Sequence, residues 1–234
     1  MAAATALDQA TEVAMVVERA RVALVAGATG LVGREILAAL LADKTYSSVH
    51  SVGRRALALK HPKLTQHVVD FAALPTLPKV DDCFIALGTT IKVAGSQAAF
   101  RAIDLEAVKA VAVAAHAQGA TKLGVVSAMG ANPQSPIFYN RVKGEMETSL
   151  ARMGFHRLVI ARPSLLDGHR QQLQQTPRTG ERLGLALMRY LRPLIPANYR
   201  AISAQSVAIA LVQMVKADSP GIVVVMSGDM QETA

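Results

Sequence analysis

The sequence predicts an α/β protein, a doubly wound parallel sheet with helices on both faces and a small C-terminal cap. Two observations carry that expectation. Short β-branched runs alternate with longer alanine-rich segments. Several of those runs, such as "VALVA", "CFIAL" and "LVIA", are continuously apolar, as strands are when both faces of the sheet are covered. A third observation, a glycine-rich turn directly after the first run, bears on function as well as fold.

Taken in order, "RVALVAGA" (21–28) reads as a buried strand and "LVGREILAALLAD" as the amphipathic helix after it. "SSVHSVGR" and "TQHVVDF" are the second and third strands, and "LPTLPKV" is a proline-punctuated loop. "DDCFIALG" (81–88) is the fourth strand, followed by one long helix, "SQAAFRAIDLEAVKAVAVAAHAQGA", ending at Gly119. "TKLGVVSAMG" (121–130) is the fifth strand. A helix is expected from Phe138 to Met153, with Pro136 near its first turn, where the missing N–H costs least. "RLVIARPSLL" (157–166) is the sixth strand. Beyond it come a polar stretch, a short basic helix, another helix near 205–216 and the apolar run "GIVVVMSG". This divides the chain into an N-terminal extension (1–20) and one domain (21–234), with a substrate cap over about 167–200.

Composition narrows the function classes. The 234 residues include a single cysteine, Cys83, so no intramolecular disulfide can form and a reducing compartment is the simplest setting. The N-terminus carries Asp8 and Glu12 and no basic start, which argues against a secretory signal; no apolar run is long enough to span a membrane. A soluble, cytoplasmic protein is therefore expected. The net charge of +8 is concentrated in 139–200, where eleven Arg or Lys face Glu145, Glu147, Asp167 and Glu181. Such an excess suits an anionic partner. Without zinc-ligand spacing or an aromatic stacking platform, a phosphorylated cofactor is favoured over nucleic acid, and no metal site is expected.

The turn "GATGLVG" sets Gly27, Thr29, Gly30, Leu31, Val32 and Gly33 between a strand and a helix N-terminus. Glycines there permit a tight turn, close approach to a pyrophosphate and close helix–sheet packing, while the helix offers free N–H groups and partial positive charge. This is a Rossmann-like, NAD(P)-binding arrangement. After the second strand stand Arg54 and Arg55, where an NAD site would place a carboxylate. Arginine suits a 2′-phosphate instead, so NADP(H) is favoured over NAD(H). Leu87, Gly88 and Thr89 end the fourth strand at the rim of the same crevice.

Ser127 ends the fifth strand, Tyr139 opens the next helix and Lys143 follows one turn later. Residues four apart share a helix face, so the last two can enter one cleft. A tyrosine is a poor base until a nearby cation stabilises its phenolate, which gives Lys143 a role beside it and Ser127 the task of orienting the substrate oxygen.

With "GATGLVG", "ALGTT" followed by "KVAGSQAAFRAID", "YNRVKGEME" and "ARPSLLDG", the chain resembles an extended or atypical short-chain dehydrogenase/reductase across about 20–215. More narrowly it resembles the Tat-interactive-protein oxidoreductase family and its bacterial relatives. The resemblance implies an NADPH site served by Ser127, Tyr139 and Lys143, adenine contacts from Asp70 and Phe71, and nicotinamide-end contacts from Arg162, Pro163 and Ser164. The asparagine that many short-chain dehydrogenases carry before the serine has no clear counterpart; the nearby polar residue is Asp104. The expected activity is NADP(H)-dependent reduction of a small carbonyl or oxidation of an alcohol, in a chain open to homodimerisation. A cofactor-holding regulatory protein and a nucleotide-sugar epimerase or dehydratase are the alternatives.

Overall fold

The computed structural model describes residues 20–167 and 196–232. The expected N-terminal extension, the short basic helix and Arg170, Arg178, Arg182 and Arg189 of the cap lie outside the described residues, apart from Ala20 at the edge of the extension.

In chain order the elements are β1 (Arg21–Ala26), α1 (Leu31–Ala42), β2 (Tyr46–Gly53), β3 (Leu64–Val68), β4 (Asp82–Ile85), α2 (Ile91–Ala94) and α3 (Gln97–Arg101). A π-helical turn, Ala102–Ala107, leads into α4 (Val108–Ala117), β5 (Lys122–Val126), α5 (Phe138–Ala151), β6 (Arg157–Arg162) and β7 (Leu166–Asp167). After the 3₁₀ turn Ala197–Tyr199 come β8 (Ile202–Ser203), α6 (Ala204–Lys216), β9 (Gly221–Met226) and α7 (Ser227–Glu232).

Seven strands form one sheet in the order β3-β2-β1-β4-β5-β6-β9, parallel at every pairing, and β7 pairs with β8 apart from it. The order reverses between β1 and β4, so a crevice opens at their carboxyl ends, where open α/β sheets bind ligands. On one face α1 and α6 pack over Val25, Phe84 and Val159; on the other α4 and α5 pack over Leu24, Leu123 and Leu158. Each fully buried Leu, Phe or Ile in these layers is worth about 1.5–3 kcal/mol. A Cβ on Gly124 would fall 2.8 Å from Val215, so α6 seats directly on β5.

Two expectations need correction. The helix expected over 96–120 runs without interruption from Gln97 to Ala117 but widens to π geometry over Ala102–Ala107, and a separate short helix precedes it. Thr90 and Ser96 cap the two helices with their side chains, and Gly95 turns left-handed between them (φ 83°). The strands also end earlier than their apolar runs. Gly27 leaves the β1 ladder with φ 94°, and β4, β5 and β6 stop at Ile85, Val126 and Arg162. The residues left over are those that line the crevice.

Candidate functional site

Two adjoining chambers occupy the crevice. The first, about 520 Å³, is lined by the glycine turn, Arg54 and Arg55 after β2, Asp70 and Phe71 after β3, and Ala86 to Gly88 after β4. The second, about 780 Å³, is lined by Ser127, Tyr139, Lys143, Asp104, Pro163 and Ser164, with Leu31, Val32 and Thr89 along its near wall. Thr29, Gly30, Leu87 and Gly88 belong to both. The two groups of residues singled out in the sequence therefore share one cleft, and Arg162 is absent from both linings.

The turn is built by steric necessity. A Cβ on Gly27 would lie 2.5 Å from the Ala86 carbonyl oxygen, and one on Gly33 would lie 2.0 Å from that of Gly27. Helix α1 starts on Gly30 with no side-chain cap, so its first N–H groups are not answered by a cap and stand at the chamber. This cradle fits a dinucleotide pyrophosphate. Gly33→Ala should cost about 3 kcal/mol through overpacking and lower the thermal midpoint by roughly 6–12 °C. An unchanged melting curve would show that the turn has slack.

Ser127 is held by its own N–H, which donates to the Ala161 carbonyl at 2.8 Å; the Met129 N–H donates to Pro163 at 3.1 Å. The β5–β6 ladder thus continues into the site and fixes both walls. Helix α5 comes close because Gly144 has no side chain: a Cβ there would meet the Pro133 nitrogen at 2.2 Å.

Along α5, Tyr139, Lys143 and Glu147 follow one another on one face. Glu147 is a site residue that the sequence reading did not single out. It is buried, accepts a short hydrogen bond from the Ser127 hydroxyl, and receives Arg162 through Nε at 3.1 Å and through the terminal nitrogen at 2.5 Å. Arg162, expected to contact the cofactor, has its guanidinium paired with this carboxylate, which raises its pKa. The position of Glu147 one turn beyond Lys143 on α5 was the available signal.

Lys143 is almost fully buried and faces Asp104, whose Oδ1 lies 2.7 Å from its Nζ, a charge contact rather than an aligned hydrogen bond. The other carboxylate oxygen accepts the Thr89 N–H at 2.9 Å. The π turn makes this reach, and such turns recur at functional sites. Burial pushes the Tyr139 phenol above its ordinary value; Lys143 pulls it down and Asp104 pushes it up. The Phe100 ring packs 5.5 Å from that of Tyr139.

Asp70 is exposed, its side chain turned onto the Ala72 N–H at 2.9 Å, and Arg54 and Arg55 are exposed at the chamber mouth. Ser164 donates to the Arg200 carbonyl and bonds the Ser227 hydroxyl at 2.9 Å, tying the site wall to α7.

No family model matches the chain. It is 30% identical over 220 residues to the protein FMP52, mitochondrial, of Meyerozyma guilliermondii, covering 91% of this chain and 94% of that one. It is 31% identical over 212 residues to rat HTATIP2, covering 88% and 82%. Among solved structures, a short-chain dehydrogenase/reductase family oxidoreductase from Burkholderia thailandensis superposes with TM-score 0.65 at 20% identity, covering 90% and 93%. A UDP-N-acetylglucosamine 4-epimerase from Methanobrevibacter ruminantium also reaches 0.65 at 18% identity, covering 88% and 76%. The expected cytoplasmic setting is overturned by the relatives, several of which are named as mitochondrial proteins. A low cysteine count reports a reducing environment and does not distinguish one such compartment from another. No helix among the described residues is long and apolar enough to cross a membrane. With an NAD(P)-binding Rossmann-like crevice and matches over nearly its whole length, the chain belongs to the FMP52 and HTATIP2 family of NAD(P)-binding oxidoreductases.

Proposed function

We propose that the protein is an NADP(H)-dependent oxidoreductase acting on a small carbonyl or alcohol, with Tyr139 as its acid/base. The observation that carries this reading is the single cleft in which Ser127, Tyr139 and Lys143 line the chamber next to the glycine turn. The cofactor, when bound, supplies or accepts the hydride. The chain's own residues manage the proton and the geometry. Tyr139 gives its phenol proton to the carbonyl oxygen. Ser127, its hydrogen engaged by Glu147, presents lone pairs to the chamber and accepts from the hydroxyl of the alcohol form. Arg54 and Arg55 receive the 2′-phosphate at the mouth of the first chamber.

Fluorescence titration with NADPH and NADH tests the cofactor. NADPH should bind more tightly, and replacing Arg54 and Arg55 together by Ala should weaken NADPH by about 10- to 100-fold while leaving NADH little changed. Equal affinity for the two cofactors would reject the assignment. A screen of small aldehydes and ketones, followed by NADPH oxidation, tests turnover. Tight NADPH binding with no oxidation across the screen would favour a cofactor-holding regulatory protein.

A further inference from the structure

The ion pair between Lys143 and Asp104 lies directly beneath Gly88, at the junction of the two chambers. A Cβ on Gly88 would stand 3.4 Å from Asp104 Oδ1 and 3.8 Å from Lys143 Nζ. The carboxylate is the more deeply buried partner, with 1% of its side chain exposed against 4% for the lysine. It is also fastened to the loop after β4 through Thr89. An ammonium so placed has a full counter-charge in contact, and its field on any third group is largely cancelled.

We propose that Asp104 is a positioning residue that holds the Lys143 ammonium against the Leu87–Thr90 loop, so that Tyr139 keeps its proton and the site is set to give a proton to a carbonyl rather than take one from an alcohol. This rests on Tyr139 as the acid/base of the proposed function. In the reducing direction the balance is simple. The carbonyl carbon gains a hydride from the reduced nicotinamide, its oxygen gains the phenol proton, and the phenolate is reprotonated from solvent. In the oxidising direction the phenol must first lose that proton, and a neutralised Lys143 gives it little help.

Among the described residues, the neighbouring charges on α5, α3 and α1 are paired with other groups. On α5, Glu147 is held by Arg162 from the end of β6. On α3, Arg101 pairs with Glu145 at 2.6 Å. Arg34, on α1 at the chamber rim, is exposed and pairs with Glu35 at 3.3 Å. Burial does most to raise the phenol; among the described residues Lys143 then pulls it down and Asp104 pushes it up.

The test needs neither substrate nor cofactor. The full chain carries four tyrosines. With ring-carbon-labelled tyrosine, the Tyr139 resonance is assigned by its loss in Tyr139→Phe and followed against pH while circular dichroism confirms the fold. Asp104→Asn should lower the Tyr139 midpoint by about 1 unit or more. An unchanged or raised midpoint overturns the proposal. Should Asp104→Asn fail to fold, the double variant Asp104→Asn/Lys143→Met, which removes both charges, decides. It should titrate as the wild type does, and a double variant whose phenol resists titration where the wild type ionises overturns the proposal, because Lys143 would then be acting on Tyr139 despite Asp104. Failure to bind NADPH would sink the proposed function while leaving this titration to be read on its own.

Discussion

Tyr139→Phe is expected to lower carbonyl reduction by about a hundred- to ten-thousand-fold, the usual worth of a positioned proton donor, while NADPH affinity stays within about twofold. The substitution keeps the ring and its packing on Phe100 and removes only the hydroxyl that faces the chamber. A loss in kcat with cofactor binding intact therefore reports the proton and not the shape. The pH profile gives a second check. Reduction requires the protonated phenol, and burial raises its pKa above the ordinary 10.0. The proton-donor limb of wild-type turnover should then stay flat through neutral pH and fall only above that value. Equal kcat in the two proteins, or a wild-type limb that falls below pH 10.0, would remove Tyr139 from the role.

Asp104→Ala is expected to destabilise the fold by about 3–5 kcal/mol, because it leaves a buried ammonium with no counter-ion. The variant also strips the Thr89 N–H of its acceptor, so the loop after β4 loses its tether to the π turn. Arg34→Ala supplies the control. The Arg34–Glu35 pair is exposed, 61% and 32% by side chain, and such pairs contribute about 0–1 kcal/mol. Urea denaturation of the two variants should therefore separate them clearly. If Asp104→Ala costs no more than Arg34→Ala, Lys143 reaches water or another partner once the carboxylate is gone.

Much of the frame was legible because it follows from local rules. Glycines at 27, 30 and 33 between an apolar run and an amphipathic one leave few folds open, and the crevice formed where they indicated. Tyr139 and Lys143 were legible through helical spacing alone. What escaped depends on contacts between distant segments. Nothing in "AFRAIDLEAV" announces a π turn, since alanine, leucine and glutamate all favour a regular α-helix; the widening shows only once Asp104 meets Lys143 and Thr89. Arg162, at the end of β6, was given to the cofactor through the family resemblance of the segment that it opens. The carboxylate that claims it sits on α5, and pairing across elements leaves no mark in a single sequence. The closing helix α7 was missed for a similar reason: it is short, and its placement depends on Asn198, whose side chain accepts the Gly228 N–H.

The pairing of β6 with β9 carries a consequence for the order of assembly. Every residue of β6 from Arg157 to Arg162 is matched in register by Gly221 to Met226, so the strand that presents the far wall of the crevice is clamped by the last strand in the sheet. The glycine turn needs only β1, α1 and β4, all of which lie before Ala86 and are synthesised early. The wall at Pro163 and Ser164 must wait for β9, the last of the sheet strands to be synthesised. During synthesis the phosphate cradle can therefore mature well before the opposite wall, and the complete cleft is a late acquisition of folding.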